Sequence, residues 1–341
     1  MTNQWKPDIL GAPFEQLTLD LGKDDEGPMV ATLVRCLPTT KTTSAPLQDV
    51  DVLYVHGWSD YFFQTDLAHY WNELGARFYA LDLRKYGRSM RPGQTPGYID
   101  DLAKYDVEIG AALDQMQTAS SGRRLVLFGH STGGLTLTLW ASRHHGLASA
   151  LVLNSPWFEF QAGSAVRHAI RPFIHLHARN DPKARYPETD FGFYADAQKM
   201  IGTSPAHIGP EEWRPKHGFP TTTGWLHAIM EAQNTLTSHD LNVGIPSLVL
   251  LSGSDSPWYA WSKRKTKSDS VLVVDDIARV SARIFPEVTI ARIQDALHDV
   301  FLSRQDVRAH AYNMMGSWLL GGALMPPRGL PTPPPIPDAY E

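Results

Sequence analysis

Ser131 lies in Gly129-His130-Ser131-Thr132-Gly133, directly after the apolar run Leu125-Val126-Leu127-Phe128 and just ahead of a helix-compatible stretch, 135–143. A serine on so sharp a strand-to-helix turn has its hydroxyl thrust out at the end of a sheet. Glycines at 129 and 133 are then needed, because side chains there would strike neighbouring backbone. A serine hydroxyl is a poor nucleophile near neutral pH, so it needs a base within hydrogen-bond reach and a carboxylate that orients the base. The chemistry offered is nucleophilic attack on a carbonyl. It also needs donors for the oxyanion that develops, and the Thr132 N–H, at the positive end of the helix that follows, is one.

These groups must be held by regular elements. Segments 15–21 and 29–37 read as a β-hairpin around a turn at 22–27, and the polar stretch 38–48 leads into a strand at 50–55. From there strands and helices alternate: helix 66–74, strand 78–81, helix 102–116, strand 125–128, the helix after Ser131 and strand 150–154. Such alternation builds a mostly parallel sheet flanked by helices, an α/β fold. The rhythm stops at Pro156 and resumes with a strand at 247–251, a helix at 276–283, a strand at 288–293 and a helix at 307–320. The interval 157–243 is too long for a loop and is expected to fold as an insertion. It is rich in aromatic residues, among them Trp157, Phe173, Phe191, Phe193, Phe219 and Trp225. The expected organisation is a core of 1–156 and 244–322, the insertion at 157–243, and a proline-rich tail, 323–341, that is extended and poorly ordered.

Taken together, Tyr54-Val55-His56-Gly57-Trp58, the stretch Leu81-Asp82-Leu83-Arg84-Lys85-Tyr86-Gly87-Arg88-Ser89, the Ser131 turn and Ala296-Leu297-His298-Asp299-Val300 resemble the α/β-hydrolase superfamily. The nearest likeness is to its monoacylglycerol lipase, lysophospholipase and serine aminopeptidase-like branch, over residues from about 50 to about 320. Lys85 and Tyr86 depart from the superfamily's Asp-x-Arg-Gly-x-Gly-x-Ser turn. The resemblance implies that the insertion 157–243 is a helical cap, or aromatic-lined lid, and that the Trp58 N–H is a second oxyanion donor. It also implies the chain order nucleophile, acid, histidine. His298, one of fourteen histidines, follows the last strand and fits the base. Two acids compete. Asp255 comes directly after a strand, and Asp269 leads into the penultimate helix. A loop, a helix of three turns or so, another loop and a strand sum to roughly thirty residues. Asp269 stands twenty-nine residues ahead of His298 and Asp255 forty-three, which favours Asp269 with Asp255 as the alternative. That choice makes 256–268, with its basic run Lys263, Arg264, Lys265 and Lys267, an exposed, solvated loop. Asp82 and Asp299 are expected to be structural, and His130 a packing residue.

The function expected is a cofactor-free serine hydrolase of carboxylic esters, acting through an acyl-enzyme on a small-molecule or lipid-like ester such as a monoacylglycerol or lysophospholipid. Acyl transfer, or cleavage of C–C, peptide or thioester bonds by the same triad, stays open, as does a low-turnover ligand-binding receptor. A net charge of −5 gives no footprint for nucleic acid. His144 and His145 are adjacent, whereas two metal ligands on one helix face stand three or four apart, so no metal is expected. No phosphate-binding glycine motif implies a nucleotide cofactor. With one cysteine, Cys36, no apolar leader and no stretch long enough for a membrane span, a cytoplasmic protein is expected.

Overall fold

The computed structural model describes residues 4–39, 45–160, 174–186, 190–205, 208–237 and 241–324. The expectations for Phe173 and for the tail beyond 324 lie outside them. Among the described residues, nine strands form one sheet: β1 (Lys6–Pro7), β2 (Glu15–Asp24), β3 (Gly27–Cys36), β4 (Val50–Val55), β5 (Arg77–Asp82), β6 (Arg124–His130), β7 (Ala150–Asn154), β8 (Ser247–Ser252) and β9 (Val288–Ile293). Their order is β1-β2-β3-β5-β4-β6-β7-β8-β9. From β5 to β9 every pairing is parallel, and β1 to β3 add an antiparallel edge.

Among the described residues the helices include α1 (Thr65–Glu73), α2 (Asp106–Met116), α3 (Thr132–Arg143), α4 (Phe193–Met200), α5 (Thr223–Leu236), α6 (Val274–Ile284) and α7 (Gln305–Trp318). Helices on both faces explain why β4, β6, β7 and β8 are largely apolar and buried almost throughout, the exception inside β4 being Asp51, which is paired with Arg77 and Arg123. Alternate residues feed two separate cores. Leu53 and Val55 of β4 pack on one face, and Val52 and Tyr54 on the other. In α6, Val274, Ile277, Val280 and Ile284 form the buried stripe, and Asp275 and Asp276 occupy the first turn, where negative charge is favoured.

Three local expectations change. The hairpin turn is shorter than 22–27: β2 runs on to Asp24, and Gly22 is absorbed in a register shift between Asp20 and Lys23. The predicted helix 102–116 is broken. A 3₁₀ turn, Leu102–Tyr105, capped by the Asp101 carboxylate on the Ala103 N–H, precedes α2. The stretch 256–268 is no simple solvated loop either. Lys263–Lys267 forms a 3₁₀ turn, and Lys265 is fully buried, its ammonium donating to the Pro257 carbonyl and lying over the Phe193 ring.

The inserted region between β7 and β8 contributes a helical segment at 174–180, then α4 and α5. Its backbone is tied to the start of α5: the Tyr186 N–H donates to Thr221 O, and the Thr223 N–H to Ala184 O. Among the described residues no helix is long and apolar enough to cross a membrane.

Candidate active site

The carboxyl ends of parallel strands are where an open α/β sheet presents its ligand crevice. Trp58 follows β4, Ser131 follows β6, and the loops after β8 and β9 bring Asp269 and His298 to the same edge.

Ser131 has φ 52° and ψ −117°, a conformation costing a non-glycine residue about 1–3 kcal/mol. Its surroundings hold it there. The Ser131 N–H donates to Asn154 O at 3.0 Å, and the Ser131 carbonyl accepts from Gly134 N (3.0 Å) and Trp157 N (3.1 Å). A Cβ on Gly129 would sit 2.5 Å from the Gly134 Cα. One on Gly133 would sit 2.3 Å from Val55 O and 2.4 Å from His56 O. Both glycines are therefore obligatory, and Gly133 lets the turn pack directly onto the end of β4.

His298 Nδ1 lies 2.8 Å from an Asp269 carboxylate oxygen, and both side chains are buried. The other Asp269 oxygen accepts the N–H groups of Val271 (2.7 Å) and Leu272 (2.8 Å). Asp255 pairs with Asp269 only through backbone, and its carboxylate accepts the Val274 N–H at 3.3 Å, at the start of α6. Among the described residues no hydrogen bond joins Ser131 Oγ to His298, and neither the Trp58 nor the Thr132 N–H donates to another group.

His298 is enclosed by aromatic rings. His130 lies 5.0 Å away and Tyr194, from α4, meets it edge-on at 5.8 Å. The Tyr194 hydroxyl accepts the Asp299 N–H (3.2 Å), and burial pushes its pKa well above the usual phenol range. Burial pushes the His130 imidazole down, against the opposing field of Asp299, so it is neutral near pH 7. Asp299 points away from His298, accepting from Asn154 Nδ2 (2.7 Å), the Phe301 N–H (2.9 Å) and Gln64 Nε2. Asp82 likewise serves its loop, taking the Phe62 and Arg88 N–H groups and the Arg88 guanidinium.

The sequence marks Tyr194 only as one of the insertion's aromatics, and carries no signal for Asn154 beneath Ser131 or for Arg214, which donates to Asp60 at 2.9 Å in the loop after Trp58. Nor does it signal the seating of Trp225, at the start of α5, on the Trp58 indole, with ring centroids 3.7 Å apart. Behind these rings, Gly57, Thr132, Tyr86 and Ile229 help to line a cavity with room for about one water molecule. Of the inserted aromatics, Phe219 and Trp225 are buried, but Phe191 is exposed and belongs to no core. Among the described residues no cluster of three or more His, Cys, Asp or Glu side chains is arranged to hold a metal ion.

The fold is shared with solved hydrolases. Monoacylglycerol lipase of Paleococcus ferrophilus superimposes with a TM-score of 0.58 at 17% identity, covering 80% of this chain and 94% of its own. A soluble variant of monoglyceride lipase from Saccharomyces cerevisiae, in complex with a substrate analogue, gives 0.62 at 15%, covering 95% and 96%. A thermostable carboxyl esterase from Bacillus coagulans, in complex with glycerol, gives 0.63 at 14%, covering 90% and 98%. At these identities the likeness is one of fold. A comparison with curated proteins finds no match. The profile of the family described as serine aminopeptidase, S33 matches residues 48–265, well over half of the sequence, and the chain belongs to that family within the α/β-hydrolase superfamily.

Proposed function

We propose that this chain is a serine hydrolase of carboxylic esters in which Ser131 is the nucleophile, His298 the base and Asp269 the acid. The observation that supports it is the buried His298–Asp269 pair at 2.8 Å, beside a serine on a strained turn flanked by two backbone N–H groups that have no partner among the described residues. Ser131 Oγ attacks the ester carbonyl while its proton passes to His298 Nε2, and Asp269 holds the imidazolium through Nδ1–H. The oxyanion settles between the N–H groups of Trp58 and Thr132. His298 then protonates the departing alcohol. A water, deprotonated by the same nitrogen, attacks the acyl-enzyme, releases the carboxylic acid and restores Ser131. The Ser131–His298 hydrogen bond is open here and would tighten when substrate displaces solvent. Asp255, bound to the start of α6, is assigned no chemistry.

In the same reading, 1–156 and 244–322 form the catalytic core and 157–243 a lid. Trp225 lies on Trp58, so a shift of the start of α5 would open the face of the Trp58 indole to a substrate. The lid's inner aromatic rings and the fold-sharing lipases favour a monoacylglycerol- or lysophospholipid-like ester.

Hydrolysis of p-nitrophenyl esters from acetyl to palmitoyl, compared with Ser131→Ala, tests the proposal. Activity that disappears in the variant supports it, and the chain-length profile sizes the acyl site. A rate that the substitution leaves unchanged refutes Ser131 as nucleophile.

A further inference from the structure

Soluble proteins scatter single apolar residues over their surfaces but rarely gather them. Here the gathering is complete for one residue class. Among the described residues, the exposed large aromatic side chains are Phe191, Trp258, Tyr259 and Trp261, between 42 and 64% exposed, and all four belong to one patch. Phe191 stacks on Trp258 (5.9 Å, 18°) and on Phe193 (5.5 Å, 23°). Trp258 meets Tyr259 edge-on at 5.8 Å, and Phe193 meets Trp261 at 5.8 Å. Met200, also exposed, borders an open groove of about 420 Å³ with Phe193, Asp196, Lys199 and Trp261.

The patch is built, not frayed. Buried Lys265 fastens its underside, joining the Pro257 carbonyl to the face of the Phe193 ring. It stands on α4 and the 256–268 stretch, the same two pieces that carry Tyr194 against His298 and lead into Asp269. Its rim is basic. Lys199, Lys263 and Arg264 are exposed and form no ion pair among the described residues, whereas the neighbouring Lys216 and Lys267 are paired with Asp196 and Asp295.

We propose that this surface seats the protein on an anionic lipid bilayer, with the indoles and the phenol at headgroup depth and Lys199, Lys263 and Arg264 on the phosphates and carboxylates of the lipids. Tryptophan and tyrosine, with an apolar body and a polar edge, are the side chains that belong at that depth. The molecule as a whole carries a charge of −5, so attraction to an anionic surface has to come from a local cluster of this kind. A single-stranded nucleic acid would need free ring faces to stack on, and here the Phe191 and Trp258 faces cover each other. A second copy would bring two basic rims together about a twofold axis. The proposal stands apart from the esterase reading, since docking needs no turnover.

The test is co-sedimentation of the full chain, as wild type and as Ser131→Ala, with large vesicles of phosphatidylcholine, with and without phosphatidylserine. Both proteins should bind the phosphatidylserine vesicles, bind pure phosphatidylcholine far more weakly, and lose binding as salt rises. Each surface cation contributes about fivefold to such partitioning, so Lys263→Glu with Arg264→Glu should lower it at least about 25-fold. Trp258→Ala with Trp261→Ala should weaken binding to both vesicle types. These four positions are exposed, and an unchanged circular dichroism spectrum confirms that the variants are folded. No binding to phosphatidylserine vesicles, or binding that neither pair of substitutions reduces, overturns the proposal. So does a lipid-independent dimer that Trp258→Ala with Trp261→Ala dissolves.

Discussion

Replacing Asp269 by asparagine separates orientation from charge with little change of shape. One oxygen of Asp269 accepts the Val271 and Leu272 N–H groups at 2.7 and 2.8 Å, and the other meets His298 Nδ1 at 2.8 Å. An asparagine keeping its carbonyl on the two backbone donors turns its NH₂ toward His298. That NH₂ can only donate, so Nδ1 becomes an acceptor and the proton moves to Nε2, the nitrogen that must receive the Ser131 proton. The flipped amide would restore the imidazole but forfeit two buried hydrogen bonds, each worth about 1 kcal/mol and more when left unpaired. The wrong tautomer is therefore locked in. Loss of the orienting acid in such a triad lowers kcat by roughly four decades, or about 5 kcal/mol of transition-state stabilisation. Steady-state hydrolysis of a p-nitrophenyl ester measures it directly. Asp255→Asn is the control: among the described residues its carboxylate accepts only the Val274 N–H, so kcat should stay within about threefold while stability falls by up to about 1 kcal/mol. A kcat for Asp269→Asn within tenfold of wild type, or an equal loss in Asp255→Asn, would refute the reasoning.

Four further outcomes are expected. Ser131→Gly should abolish hydrolysis yet raise unfolding free energy by up to about 2 kcal/mol, because relief of the strain at φ 52° outweighs the extra unfolded-state entropy of glycine; denaturant titration checks it. Gly133→Ala drives a methyl into Val55 O and His56 O, so the same titration should show a loss of about 1–3 kcal/mol or more. Burial alone would raise the Glu26 carboxyl, but hydrogen bonds from Lys85, Thr95 and Lys183 override it and hold its pKa down to about 2. A depressed folded-state pKa gives stability that is present above the unfolded value of 4.5 and lost as pH falls toward 2, so Glu26→Gln should flatten the acid limb of stability against pH. Burial pushes the Cys36 thiol up to about 11, so the native protein should react with a disulfide reagent only as fast as it unfolds.

What could be read in the sequence was local or periodic. The runs that became β4, β6 and β8 are apolar, apart from Asp51 and the polar residues at strand ends, because both sheet faces are covered, and Gly129 and Gly133 announce a turn that nothing larger could make. Lys85 stands out in the sequence only as a departure from the superfamily's turn. It adopts φ 64° and sends its ammonium to Asp24 (2.7 Å) and Glu26 (2.6 Å) at the hairpin tip, a contact across some sixty residues. The choice between Asp255 and Asp269 was hard for a physical reason. They lie opposite each other in a backbone bridge, and only the direction of a side chain separates them. Lys265 looked solvated because a basic run usually is, and only the fold supplies the carbonyl and ring that bury it. Tyr194, Arg214 and Trp225 come from the insertion, where tertiary packing and no motif fixes their places.

The seating of Trp225 on Trp58 has an optical consequence. Two indoles with centroids 3.7 Å apart and planes inclined by 34° share their excited states. One ring belongs to the residue after Gly57 at the end of β4, the other to the inserted α5. An exciton couplet in circular dichroism, removed by Trp225→Phe, would therefore register whether the insertion is closed over the sheet, in unmodified protein and with no substrate present.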